Sequence, residues 1–74
     1  MLPLPILSAR EVIKALEKAG WKFARQKGSH VMLIKIGERR PLVIPNHKEI
    51  AKGTLRSIIR EAGLTVQEFI ELLK

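Results

Sequence analysis

Apolar residues recur at helical spacing near the start of the chain, at Val12, Ile13, Leu16 and Ala19. Ser8 stands before this run with Glu11 three residues on, the arrangement in which each residue caps a free amide of the other. Leu7, just ahead of the cap, can staple onto Val12, and Gly20 closes the helix where glycine costs least. The period then changes from 3.6 to 2. Trp21, Phe23 and Arg25 alternate with Lys22, Ala24 and Gln26, a strand that ends at Gly28. Residues 30–36 and 41–45 are rich in β-branched and apolar side chains and predict two more strands. Gly37-Glu38-Arg39-Arg40 supplies the hairpin turn between them, and Pro41 and Pro45 mark the ends of the third strand.

The rest of the chain returns to helical spacing. Lys52-Gly53-Thr54 opens a helix with Leu55, Ile58, Ile59 and Ala62 facing inward and Gly63 beyond it. Thr65 with Glu68 forms a second capping box, ahead of a short helix carrying Val66, Phe69, Ile70, Leu72 and Leu73. The predicted order is α-β-β-β-α-α, an α+β fold with helices on one face of a three-stranded antiparallel sheet. Strands two and three carry apolar groups on both faces. Met32, Ile34 and Ile36 oppose Val31 and Leu33, and Val43 opposes Leu42 and Ile44. Only one face can pack on helices, so the other predicts a protein partner or self-association.

Composition adds limits. With 74 residues, 46% of them hydrophobic, the chain reads as one domain, residues 1–74, that can build a core. No cysteine is present, so neither disulfides nor thiolate metal sites supply a staple. The apolar start, Met1 to Leu7, lacks a basic leader and reads as an arm packing on the body. No stretch approaches the roughly 20 apolar residues of a membrane span, so no membrane partner is expected and the expected location is the cytoplasm. Charge is uneven. Residues 1–60 hold thirteen cations against Glu11, Glu17, Glu38 and Glu49, a balance of +9, while residues 61–74 balance at −2. A basic body favours a polyanionic partner, nucleic acid before membrane. On the first helix Arg10, Lys14 and Lys18 follow one another at i, i+4, i+8, a stripe that a solvated face also explains.

The only two histidines give this charge a candidate chemistry. A turn centred between Glu38 and Arg39 sets His30 directly opposite His47; a turn shifted by one residue sets His30 opposite Lys48 instead. Imidazole exchanges protons in both directions near neutrality. RNA carries its own nucleophile, the ribose 2′-hydroxyl, so cleaving it needs a base, an acid and cations but in principle no metal. Lys27 precedes Gly28-Ser29-His30, Lys48 follows Pro45-Asn46-His47, and Lys52 starts a helix. Amides at Gly53, Thr54 and Leu55 add a phosphate site at that helix start, and Lys52, Arg56 and Arg60 continue it as a stripe. A stacked surface pair is the plain alternative for the two imidazoles. Two histidines without cysteine are too few for a structural zinc site, so no metal or other cofactor is expected. Ser29 beside His30 does not make a serine hydrolase, since neighbours on a strand face opposite ways and the chain has no aspartate.

Several ordered blocks carry a resemblance. Gly20-Trp21, Arg25-Gln26-Lys27-Gly28-Ser29-His30, Val43-Ile44-Pro45-Asn46-His47 and Lys52-Gly53-Thr54-Leu55-Arg56-Ser57-Ile58 are similar to the HicA toxins of toxin–antitoxin pairs, over roughly residues 8–73. The resemblance implies a fold like the double-stranded-RNA-binding domain and a ribosome-independent mRNA interferase. It implies mRNA as substrate and a HicB-type antitoxin that covers the active surface. The family's catalytic histidine follows Gly-Ser and maps onto His30; Pro-x-His maps onto His47 as a second candidate. Lys27, Ser29, Lys48, Lys52, Thr54, Arg56 and Arg60 are the candidate RNA- and phosphate-binding residues. The alternatives are an RNA-binding domain that does not cut, and a protein-binding subunit whose basic face meets an acidic partner.

Overall fold

The computed structural model describes residues 3–74. Helix α1 (Ala9–Lys18) starts at Ser8, whose Oγ accepts the Glu11 N–H at 3.2 Å while the Ser8 N–H donates to Glu11 Oε1 at 3.0 Å. Both halves of the capping box form, so two of the amides that a helix start leaves orphaned are satisfied. Val12, Ala15 and Leu16 are buried on its inner stripe, and Leu7 joins Val12 in the same core cluster.

Strands β1 (Lys22–Lys27), β2 (His30–Ile34) and β3 (Leu42–Pro45) form one antiparallel sheet in the order β1-β2-β3. Val31, Leu33, Leu42 and Ile44 alternate onto the face beneath the helices and are buried. His30, Met32, Ile34 and Val43 lie on the opposite face, where Ile34 and Val43 are exposed. Apolar side chains on both faces of β2 and β3 are therefore real, and one set is uncovered among the described residues.

Two expectations need correction. Alternation through β1 puts Phe23 and Arg25 on one face, but a β-bulge falls between them. Phe23 pairs with Leu33 and Arg25 with Met32, so the two face opposite ways. The extra residue, Ala24, resets the alternation. The second correction is that β2 ends at Ile34 rather than Ile36. The chain reverses through Lys35–Glu38, where the Glu38 N–H donates to the Lys35 carbonyl at 3.0 Å and Gly37 takes φ +92°. Positive φ at the third position of a four-residue turn is a glycine requirement, so the reversal begins two residues before the predicted turn.

Helix α2 (Lys52–Glu61) buries Leu55, Ile58 and Ile59 as its spacing predicts. Helix α3 (Val66–Leu72) begins with the Thr65–Glu68 capping box and drives Phe69 fully into the core. Both α1 and α2 pack on β3, and α3 packs on the two helices, so β1 overhangs the helical layer with every residue exposed. The amino-terminal arm joins the core through buried Leu4 and Leu7; Met1 and Leu2 of the expected arm lie outside the described residues. The arm is tied down by the Ile50 N–H donating to Leu7 O at 2.8 Å, and the Ala9 N–H to His47 O at 3.0 Å.

Candidate active site

The β1–β2 connection is the shortest a hairpin allows. Gly28 and Ser29 are its two central residues, with positive φ at Gly28 alone (+58°), as a type II′ turn requires. The tightness of this turn fixes what flanks it. Lys27 and His30 become direct cross-strand partners on the outer face of the sheet, and both are exposed. Side chains so opposed have Cβ atoms about 4.5–5.5 Å apart, so an ammonium group can reach whatever anion approaches the imidazole. Lys27, Ser29 and His30 are thus brought together by one turn.

His47 is not placed as expected. Across the β2–β3 ladder His30 pairs with Pro45, and His47 lies two residues further on, past the end of β3. The His47 N–H folds back to Pro45 O at 2.9 Å, which breaks the strand there. The early reversal at Lys35–Glu38 shifts the whole register by two residues, so neither His47 nor Lys48 opposes His30. The His47 segment still reaches the same end of the sheet, because the Asn46 N–H donates to Ser29 O at 2.6 Å. His47 and Lys48 are exposed in the segment that leads to α2.

At α2 the amides of Lys52, Gly53 and Thr54 precede the first intrahelical bond. The Leu55 N–H is already bonded to Ala51 O at 2.9 Å, so Leu55 drops out of the expected amide set. Ala51 occupies the cap position with no side-chain hydrogen bond, and the first turn holds no acid. No acid within the first turn therefore competes for the positive end of this helix; Glu49, two residues before the cap, is the nearest carboxylate in the sequence. Lys52, Thr54, Arg56 and Arg60 are all exposed along it. On α1 the stripe divides: Lys18 Nζ donates to the terminal Lys74 carbonyl at 2.7 Å, while Arg10 and Lys14 line an open groove beside β1. Among the described residues no three histidine or acidic side chains gather as a metal site would need. Sequence reading missed Phe23 and Gln26, which the bulge turns to the helix side of β1.

Comparison with known proteins decides the family. The model for the HicA toxin of bacterial toxin–antitoxin systems matches residues 9–64. The chain belongs to the HicA toxin family. A solved toxin–antitoxin complex from Streptococcus pneumoniae contains a chain 42% identical to this one. The match covers 78% of this chain and 98% of that one, with a TM-score of 0.72. A HicA3 and HicB3 toxin–antitoxin complex gives 38% identity, 81% and 98% coverage, and a TM-score of 0.66. No curated protein matches the chain. The α+β fold with a three-stranded antiparallel sheet described above matches these toxin–antitoxin structures over about four fifths of the chain. Within this HicA toxin, no helix among the described residues is long and apolar enough to cross a membrane.

Proposed function

We propose that this HicA toxin is a metal-independent endoribonuclease that cuts mRNA with His30 as general base. The observation that carries the reading is the pairing of exposed His30 with Lys27 across the Gly28–Ser29 turn. His30 takes the proton of a ribose 2′-hydroxyl, and the 2′ oxygen attacks the adjacent phosphorus. The 5′ oxygen of the next nucleotide leaves, taking a proton from His47. The products are a 2′,3′-cyclic phosphate and a 5′-hydroxyl. Lys27 and Lys52 hold the phosphate, with Ser29, Lys48, Thr54, Arg56 and Arg60 extending the track. General acid–base catalysis of this type contributes about 10²–10⁴ in rate per group.

The partner is a HicB-type antitoxin, and we assign it the outer face of the sheet. His30, Met32 and Ile34 alternate along that face of β2, and Val43 pairs with Met32 beside them. A protein seated on the apolar residues also covers the imidazole, so one surface accounts for both recognition and neutralisation. Self-association through the same face is the competing outcome. It is distinguished by a concentration-dependent mass for the toxin alone.

The deciding experiment is degradation of single-stranded RNA by the purified toxin in EDTA, with the termini identified. Cleavage that yields cyclic phosphate ends and is lost in His30→Ala supports the assignment. Undiminished cleavage by His30→Ala ends it. Retention of RNA without any cleavage by the unaltered toxin favours the RNA-binding module instead.

A further inference from the structure

The bulge in β1 has a chemical consequence of its own. Residues 23 and 26 are an odd number apart, so a regular strand would send them to opposite faces. With Ala24 inserted, Phe23 pairs with Leu33 and Gln26 with Val31, and both turn to the helix side of the overhanging strand. There they form one wall of an open groove of about 540 Å³, with α1 as the other wall. Phe23 is 55% exposed although it lies on the face that elsewhere forms the core.

We propose that this groove receives a nucleobase of single-stranded RNA, adjacent to the phosphate at His30; the proposal rests on the RNA-cleaving reading and deepens it. Phe23, with Ile13 across the groove, gives a base an aromatic and apolar surface to stack on. Two amides, Gln26 and Asn46, line the same space and can read a base edge. Gln26 Nε2 donates to Gly28 O at 3.1 Å, which holds the amide and leaves Oε1 and the second N–H for a ligand. Arg10 and Lys14, one turn apart on α1, set cations along the rim for the backbone of the same strand. Glu17 at the α1 wall adds an acceptor suited to an exocyclic amine. The volume lies within the roughly 300–1,000 Å³ usual for small-ligand sites. The groove and the imidazole lie on opposite faces of one end of the sheet. Gln26 pairs with the residue after His30, and the Asn46 N–H is bonded to Ser29. A strand of RNA crossing the Gly28–Ser29 turn can therefore seat a base on one side and its phosphate on the other.

The test uses full-length His30→Ala toxin, so the RNA stays intact, and fluorescence anisotropy on single-stranded decamers of A, C and U. Phe23→Leu is expected to weaken binding about tenfold, the order of one lost base stack, while Phe23→Tyr stays within about twofold. Gln26→Ala is expected to bring the three affinities closer together, because it removes an edge contact and keeps the stacking surface. Thermal melting checks that each variant folds; should Phe23→Leu not fold, Gln26→Ala and Phe23→Tyr decide. Unchanged affinity and unchanged base preference overturn the proposal. So does a Phe23→Leu defect confined to antitoxin binding, which makes the groove a protein-docking site. Cleavage by the unaltered toxin is scored separately. Phe23-dependent binding without any cleavage removes the nuclease and keeps the groove, whereas cleavage with Phe23-independent binding does the reverse.

Discussion

His30 stands opposite Pro45, not His47, across the β2–β3 ladder. The two histidines therefore do not form a directly opposed pair, and their roles separate. We expect His30→Ala to lower RNA cleavage about 10²- to 10⁴-fold with affinity held within a few-fold, the signature of a lost proton-transfer group. His47→Ala separates two cases. A fall in kcat comparable to that of His30→Ala makes it the acid; a rise in KM alone makes it a binding residue. Steady-state kinetics on a short fluorescent RNA measure both.

Lys27 tests the other half of the turn. Its ammonium faces the same side as the imidazole, so it is positioned for phosphate rather than for a base. Lys27→Gln is expected to weaken all RNA sequences alike. It should also reduce the slope of log affinity against log salt by about 0.7, the value for one single-strand phosphate contact. An unchanged slope measured between low and moderate salt would remove Lys27 from the track.

These two residues also show how far the sequence could be read. Both capping boxes were legible, because each needs only a hydroxyl and a carboxylate three residues apart. The inward stripe of α2 was legible for a similar reason, since its period is local. The sequence set Lys27 just ahead of Gly28-Ser29-His30, but its direct pairing with His30 across that turn came only from the strand register. The His30–His47 pairing failed because β2–β3 register depends on where the reversal begins. Several residues between Lys35 and Arg40 tolerate a turn, and the choice falls to Gly37, which can take positive φ at the third position. The bulge at Ala24 left no mark in the alternation, so the shared face of Phe23 and Gln26 could emerge only from three-dimensional pairing.

The amino-terminal arm gives a stability prediction. Leu4 is 3% exposed and belongs to the same cluster as Leu16 and Leu33, although it precedes the region that the family model matches. Leu4→Ala should destabilise the protein by about 2–4 kcal/mol, through lost burial and the cavity left behind. For a chain of this size that is a large share of the total, and the melting temperature should fall by roughly ten degrees or more. Ile6→Ala, at a 66% exposed neighbour, serves as the control and should change stability by less than about 0.5 kcal/mol. Equal effects of the two substitutions, in urea or thermal melts, would mean that the arm is not part of the core.

The last prediction concerns the outer face. Ile34 is 52% and Val43 42% exposed, so a charge at either position meets water in the free toxin and costs little folding energy. In a complex the same charge would be buried against apolar partner atoms without a counter-ion, which is expensive. Ile34→Glu and Val43→Glu should therefore leave the toxin folded while weakening antitoxin binding about 100-fold or more, measured by calorimetry or surface plasmon resonance. His30 shares this face, so a toxin freed from its antitoxin by Ile34→Glu should also cut RNA in the antitoxin's presence, at concentrations that silence the unaltered protein. Antitoxin binding that survives both substitutions would move the interface off the sheet. Inhibition would then require the antitoxin to reach the Lys27–His30 turn from its edge.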